Sequence, residues 1–147
     1  MSTDRYSQIV FSIVGAAYDV QHELRGGLSE AIYEEALCRE LRSRGLLVAP
    51  QQELTIFYKG EPLDKKYRVD ILCEEDIVIE LKAVEQILSE HRAQLFNYLR
   101  VTAMPIGILI NFAMNGVHIE RYCYDFDTNE VNYYNPPRRI SEIDTFE

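Results

Sequence analysis

Residues 66–82, with the sequence KYRVDILCEEDIVIELK, contain two apolar runs separated by three consecutive acidic residues. Runs that are rich in β-branched residues and bounded by polar turns are typical of β-strands. We predict one strand from Lys66 to Cys73 and another from Ile77 to Lys82, joined by a turn at residues 74–76. Because the turn is so short, the two strands are expected to form an antiparallel hairpin.

With a three-residue turn, Cys73 lies opposite Ile77, and the pairing continues outward from there. Asp70 then lies directly opposite Glu80, with the two Cβ atoms about 5 Å apart. Lys82 follows two residues after Glu80 and therefore lies on the same face. The other face is expected to be wholly apolar, which fixes the register. Its residues are Val69, Ile71, Cys73, Ile77, Ile79 and Leu81.

Two facing carboxylates beside a lysine have two interpretations. They can hold a divalent cation, because Mg²⁺ prefers oxygen ligands and is bound by one or two carboxylates together with water. Lys82 then orients the attacking water or helps to deprotonate it. Alternatively, these three residues and Arg68 form a solvated polar face with weak cross-strand ion pairs. An acid followed by Glu-x-Lys is too short a pattern to decide between them.

The sequence around the hairpin alternates between helical and strand patterns. Apolar residues at intervals of three and four predict helices over residues 4–24, 28–44 and 85–101. Apolar runs predict further strands over residues 53–58, 106–113 and 117–124, the last two joined by the hairpin signal Asn115-Gly116. Beyond these elements the pattern fades. We therefore predict a single α/β domain over residues 1–124, with a central mixed sheet flanked by helices, and a polar tail over residues 125–147.

The net charge argues against tight binding of nucleic acid by the surface as a whole. Lys and Arg number 15 and Asp and Glu number 24, which gives a formal charge of −9. Such a balance repels phosphate unless local cations or a bound metal reverse it. No basic patch is visible in the sequence. A nucleic-acid-binding function would therefore need a weak, metal-dependent grip or a partner protein.

The cysteines and the apolar segments indicate a cytoplasmic protein. Cys38, Cys73 and Cys123 are far apart and show no CxxC spacing, so reduced thiols are expected rather than a disulfide or zinc site. The longest apolar stretch after the first helix, residues 105–114, is shorter than the ~20 residues that a membrane helix needs. We expect neither a membrane span nor a targeting segment.

The predicted order of helix, three antiparallel strands, helix and strand resembles the PD-(D/E)XK nuclease superfamily. Members carry an acid on the second strand and a (D/E)-x-K motif on the third. More narrowly, residues 27–33, GLSEAIY, are similar to the signature of the small bacterial GxxExxY family, which belongs to that superfamily. The likeness covers residues 9–124. It implies a restriction-endonuclease-like αβββαβ core.

The resemblance also implies roles for individual residues. Asp70, Glu80 and Lys82 match the catalytic triplet. Asp70, Glu80 and the main-chain carbonyl of Leu81 would bind the metal, which is expected to be Mg²⁺, with Mn²⁺ as an alternative. Glu30 matches a helix-borne acid that several branches add as a further ligand, directly or through water. Without the resemblance, Glu30 reads as a surface acid favoured early in a helix.

Two residues of the last predicted helix match the RecB-like branch of the superfamily. Gln94 and Tyr98 correspond to its Gln-x-x-x-Tyr motif, which helps to hold DNA. Because the two residues are four positions apart, they lie on one face of the helix. The same spacing is also found in any amphipathic helix, where a half-buried tyrosine packs against the core.

Together these features predict a Mg²⁺-dependent nuclease that hydrolyses phosphodiester bonds in nucleic acid, with DNA as the expected form. The alternative is a nuclease-fold module that has lost catalysis and serves as a binding or regulatory subunit. The complete set of motif residues favours the enzyme, whereas the acidic charge favours the module. A protein partner or a homodimer is compatible with both.

Overall fold

The structure is a computed structural model that describes residues 3–134 of the chain. Its helices are α1 (Thr3–Leu24), α2 (Glu30–Ser43) and α3 (Ser89–Thr102). Its strands are β1 (Val48–Tyr58), β2 (Glu61–Cys73), β3 (Ile77–Lys82), β4 (Ile106–Ala113), β5 (Gly116–Asp125) and β6 (Glu130–Tyr133).

All six strands form one mixed sheet in the order β1-β2-β3-β4-β5-β6. Only β3 and β4 pair in parallel, and the other neighbours are antiparallel. A parallel pair needs a crossover connection, which α3 supplies here. The order from α2 to β4 is helix, three strands, helix and strand. The predicted fold class, an α/β restriction-endonuclease-like core, is therefore confirmed.

Helices cover both faces of the sheet, and the sheet divides the hydrophobic core into two halves. One half, which we call the α1/α2 core, contains residues of those helices packed on Ile71, Cys73, Ile77, Ile79, Leu81, Ile106, Ile108, Ile110 and Phe112. The other, which we call the α3 core, contains Leu54, Tyr67, Val69, Val78, Ile87, Leu95, Leu99, Leu109 and Tyr122. Burial on both faces explains why β4 is a continuous apolar run. Within residues 3–134, no helix is long and apolar enough to cross a membrane.

Tyr33 holds the turn between α1 and α2. Its buried hydroxyl donates to the carbonyl of Arg25 at 2.5 Å and accepts from the N–H of Leu28 at 3.3 Å. The Tyr33 ring stacks on Phe112 with 4.5 Å between centroids. In the same turn Gly27 has a φ of 96°, which glycine adopts without a steric penalty. Gly27 and Tyr33 therefore both have structural roles in the turn between α1 and α2.

Three predicted boundaries differ from the structure by four or five residues. β1 and β2 begin at Val48 and Glu61, earlier than predicted, and the added residues are mostly exposed, so they give no alternating apolar signal. α3 begins at Ser89 rather than at residue 85. Leu88 is extended, and its N–H donates to Nδ1 of His91 at 3.0 Å, which satisfies a main-chain group at the start of the helix.

The sheet continues beyond residue 124. β5 ends at Asp125, and the four residues of β6 pair with its last positions from Tyr122 onward. The first part of the predicted polar tail is thus a sixth strand, too short and too polar to be recognised from its sequence. Residues 135–147 of the predicted tail lie outside the described residues.

Candidate functional site

The hairpin of β2 and β3 has the predicted register. Its paired residues are Cys73 with Ile77, Leu72 with Val78 and Ile71 with Ile79. Asp70 and Glu80 would form the next pair, but the main-chain pairing ends before them. The two strands therefore separate at the two carboxylates.

Asp70 and Glu80 replace the missing main-chain bonds with their side chains. Oδ2 of Asp70 accepts a hydrogen bond from the N–H of Leu81 at 2.8 Å. Oε1 of Glu80 accepts one from the N–H of Asp70 at 3.2 Å. Each carboxylate thus uses one oxygen to bind the opposite strand. This crossed pair fixes both side chains at the mouth of the gap between the strands.

Val69 does not lie on the face that regular alternation predicts. It packs in the α3 core, whereas Ile71 packs in the α1/α2 core. The prediction that Val69 and Ile71 share one face is therefore wrong. The alternation is interrupted between them, at Asp70. Across from Asp70 on β1 lies Gln51, which has a φ of 51°, a left-handed conformation that is incompatible with a regular strand.

Glu80 is held in an environment that disfavours its charge. Burial, followed by the negative charge of Asp70, raises the pKa of Glu80 to about 7. Hydrogen bonds from the hydroxyl of Tyr67, at 2.5 Å, and from the N–H of Asp70 oppose this shift, as does the charge of Lys82. The buried carboxylate is therefore costly to ionise, and a bound cation would favour its charged form.

Three residues that sequence reasoning missed complete these surroundings. Nε2 of Gln51 donates to Oε1 of Glu34 at 2.7 Å and lies 3.5 Å from Oδ1 of Asp70. Gln51 thus joins α2 to the acid of β2. Burial, and further the charges of Asp70 and Glu30, raise the pKa of Glu34. The third missed residue is Tyr67, whose ring stacks on Tyr98 of α3 with 3.3 Å between centroids.

Glu30 is the first residue of α2 and is exposed. None of the hydrogen bonds within residues 3–134 joins it to Asp70 or Glu80, and its charge acts on Glu34 one turn later. The helix acid that is connected to the site is Glu34. Spacing gave a signal for this, because residues four apart on a helix share a face.

Lys82, Gln94 and Tyr98 line the same cleft, together with Glu80. Its volume is about 500 Å³. Nε2 of Gln94 donates to the hydroxyl of Tyr98 at 3.1 Å, so the two helix residues form one unit. The remaining lining residues are Ile56, Lys66, Tyr67 and Arg68. The fold thus brings three cations, from β2 and β3, into one cleft, although no basic patch is visible in the sequence.

The donor set of the site suits a small divalent cation. Asp70 and Glu80 supply carboxylates from adjacent strands, and Mg²⁺ is commonly bound by one or two carboxylates and water. No group of three or more His, Cys, Asp or Glu side chains within residues 3–134 is arranged to enclose a metal. The residues therefore fit an open site in which water and a phosphate supply the other ligands. Whether the Leu81 carbonyl contributes stays a prediction.

Comparison with known proteins identifies the family. A family model described as "PD-(D/E)XK nuclease superfamily" matches residues 7–122, which is most of the chain. The chain belongs to the PD-(D/E)XK nuclease superfamily. Superfamily members generally use divalent metal ions. In this superfamily member, the separated strands of the hairpin carry Asp70 and Glu80, which the sequence analysis predicted to belong to the superfamily motif.

No curated protein matches this chain. Among solved structures, the one titled "Crystal structure of SSO0001" is similar, with 22% sequence identity and a TM-score of 0.49. The similarity covers 80% of this chain and 57% of that one, so this chain spans little more than half of that protein's length.

Proposed function

We propose that this superfamily member is an active nuclease that hydrolyses phosphodiester bonds in nucleic acid, most readily DNA, with Mg²⁺ as its cofactor and Mn²⁺ as a substitute. The observation that carries the proposal is the placement of Asp70 and Glu80 on separating strands, with Lys82 in the same cleft as Glu80. Two carboxylates held side by side, one of them largely buried, are costly to ionise unless they bind a cation.

In this proposal, Asp70 and Glu80 hold the metal, the carbonyl of Leu81 is a further ligand, and Glu30 contributes from α2. When bound, the ion supplies charge that stabilises the transferring phosphate. Each carboxylate keeps one oxygen on a main-chain N–H of the opposite strand. Within residues 3–134, the hydrogen bonds to Glu80 from Tyr67 and Asp70 both end on Oε1, so Oε2 is available as a ligand.

Lys82 orients the attacking water and holds or releases its proton. The side chain lies two residues beyond Glu80 on β3 and lines the cleft that Glu80 also lines. An ammonium group in this position also stabilises negative charge that develops on a phosphate. Gln94 and Tyr98 face the cleft from α3, as nucleic-acid-contacting residues of a RecB-like member would.

The turn before α2 supports the assignment to the GxxExxY family. Gly27 and Tyr33 have structural tasks there, and Glu30 stands between them at the start of α2. We propose a cytoplasmic protein that acts alone, as a homodimer or with a protein partner.

Two observations favour a second candidate, a module that binds without cutting. The chain carries a net charge of −9, and the described residues contain no set of three metal-binding side chains. The negative charge weakens the binding of phosphate, and the small number of side-chain ligands weakens the binding of metal. Such a module would bind nucleic acid or a partner through the same cleft but would release no products.

Incubation of the purified protein with labelled nucleic acid decides between the two. Cleavage that needs Mg²⁺ or Mn²⁺, stops with EDTA and is lost in Asp70→Asn supports the nuclease. Binding of the oligonucleotide without cleavage under any metal condition rejects the nuclease and favours the module.

A further inference from the structure

We propose that the cleft takes a single strand of nucleic acid, and that Lys66 and Arg68 bind the phosphates next to the one that reacts. This inference rests on the proposed function, because it extends the same site to its substrate. Lys66 and Arg68 lie outside the catalytic triplet, and the cleft that they line is expected to accept a single strand in preference to a duplex.

Lys66 and Arg68 form a row that leads to Asp70. The two cations are two residues apart along β2, so their Cα atoms lie about 7 Å apart. This spacing is close to that between neighbouring phosphates of one strand. Because β2 and β3 pair only from Ile71 onward, this part of β2 is a free edge beside the cleft. A strand lying along that edge meets the cations first and the carboxylates next.

The cations of the row are available to a ligand. Nη2 of Arg68 lies 3.8 Å from Oε2 of Glu53, with both side chains more than half exposed. Such an exposed contact contributes little to stability and exchanges readily with a phosphate. Nζ of Lys66 lies 3.5 Å from the neutral hydroxyl of Thr55. Arg92, by contrast, is bound by Glu120 through two hydrogen bonds of 2.7 Å.

The shape of the cleft favours one strand. It lies between the edge of β2, with Lys66 and Arg68, and the helix α3, with Gln94 and Tyr98, while Glu80 is half-buried inside it. A phosphate that reaches Glu80 therefore lies beside these lining residues. A space of about 500 Å³ admits a few groups of a single backbone. A duplex is too wide to enter it.

The charge distribution points the same way. A duplex carries one charge per ~1.7 Å of its axis, twice the density of a single strand. The two cations of the row neutralise a short piece of one strand, whereas the net charge of −9 on the chain repels a second strand. A single strand is therefore attracted by Lys66 and Arg68 and is repelled less than a duplex by the negative charge of the rest of the chain.

The test measures binding, without catalysis. Fluorescence anisotropy in EDTA compares labelled oligothymidylate with a duplex of equal length over a series of salt concentrations. The double variant Lys66→Ala/Arg68→Ala is compared with Lys65→Ala/Arg42→Ala, which removes the same residue types. Lys65 is the neighbour of Lys66 but does not line the cleft, and Arg42 is exposed on α2. Thermal melting verifies that both variants are folded.

Wild type is expected to bind the single strand more tightly than the duplex. Loss of two phosphate contacts should make the slope of log K against log salt shallower by about 1.4 in Lys66→Ala/Arg68→Ala. The control variant should keep the wild-type slope. The inference is overturned if the duplex binds as tightly as the single strand, if no single strand binds, or if both variants lose affinity equally.

This test is separate from that of the proposed function. Single-strand binding that depends on Lys66 and Arg68, in a protein that never cuts, would keep the inference and reject the nuclease. Metal-dependent cutting by a protein whose binding ignores both cations would keep the nuclease and reject the inference.

Discussion

Asp70 and Glu80 are joined crosswise at the point where their strands separate. The main chain of Asp70 donates to Glu80, and the carboxylate of Asp70 accepts from Leu81, the residue after Glu80. Two acids that would repel each other are thereby held side by side by main-chain N–H groups. The two carboxylates therefore repel each other in the metal-free protein. Because a bound metal relieves this repulsion, metal binding should be measurable as an increase in stability.

Millimolar Mg²⁺ or Mn²⁺ is expected to raise the melting temperature. A metal concentration one hundred times the dissociation constant contributes about 2.7 kcal/mol, which is several degrees for a domain of this size. Asp70→Asn should lose most of this gain and still fold, because its amide oxygen can accept the bond from Leu81. Asp64→Asn, an exposed acid of the same strand, should respond like wild type. An equal response of Asp70→Asn and wild type would show that Asp70 is not a ligand.

Lys82→Ala should lose cleavage and keep the metal-dependent rise in melting temperature. Its proposed task lies in the chemical step, in which positioned proton-transfer groups typically contribute a factor of about 10² to 10⁴. Lys65→Ala, an exposed lysine that does not line the cleft, should cut at the wild-type rate. Initial rates of oligonucleotide cleavage and parallel thermal melts give both quantities. If Lys82→Ala cuts normally, the proton-transfer role belongs to another group.

Local sequence predicted the register of the hairpin because a three-residue turn and an apolar face leave few alternatives. It did not predict that the pairing would end at Asp70 or that Val69 would pack under α3. Both features occur where regular strand geometry is interrupted opposite Gln51. Glutamine has no preference for the positive φ that Gln51 adopts, so the sequence gives no sign of this interruption. The contact of Gln51 with Glu34 joins residues 17 positions apart.

The cationic cleft was also invisible in sequence, for a different reason. Counts of charge along the chain mix residues that fold to different places. Arg92 is sequestered by Glu120, whereas Lys66, Arg68 and Lys82 converge. Lys66 and Arg68 are two positions apart on one strand, but only the tertiary structure shows that residues of β3 and α3 line the same cleft.

Glu120 should make the protein lose stability in acid. Burial by itself raises the pKa of Glu120, but hydrogen bonds from Arg92, Tyr122 and His118 outweigh it and lower the pKa to about 2. A lowered pKa stabilises the fold above the unfolded value near 4.5, and this contribution disappears as the pH falls toward 2. The side chain is 11% exposed, so a contribution of about 2 to 3 kcal/mol is expected at neutral pH.

Urea unfolding of wild type and Glu120→Gln measures this contribution. The two proteins should differ most at neutral pH, and more than half of the difference should be gone at about pH 3. Glu130→Gln, an exposed acid on β6, should follow the wild-type profile. A difference between wild type and Glu120→Gln that is the same at both pH values would contradict the assignment.

Gln51 should act on the metal site through its side-chain amide. Gln51→Ala removes the donor between Glu34 and Asp70, so we expect a loss of about 1 kcal/mol of stability and a smaller rise in melting temperature with Mg²⁺. Gln51→Gly removes the same amide but accommodates the φ of 51° without strain. It should therefore regain stability relative to Gln51→Ala but show the same weak metal response.

The neighbouring Gln52 provides the control for this last prediction, because its side chain is exposed and donates to the carbonyl of Glu53, away from both acids. Gln52→Ala should respond to Mg²⁺ like wild type. If Gln51 acts through Glu34, the double variant Gln51→Ala/Glu34→Ala should differ from the sum of the single variants by at least about 0.5 kcal/mol, because the pair is in contact. The prediction is contradicted if the effects on stability are additive and Gln51→Ala keeps the wild-type metal response. Gln51 would then not help to position Asp70, and the hydrogen bond from the Leu81 N–H would hold the carboxylate without it.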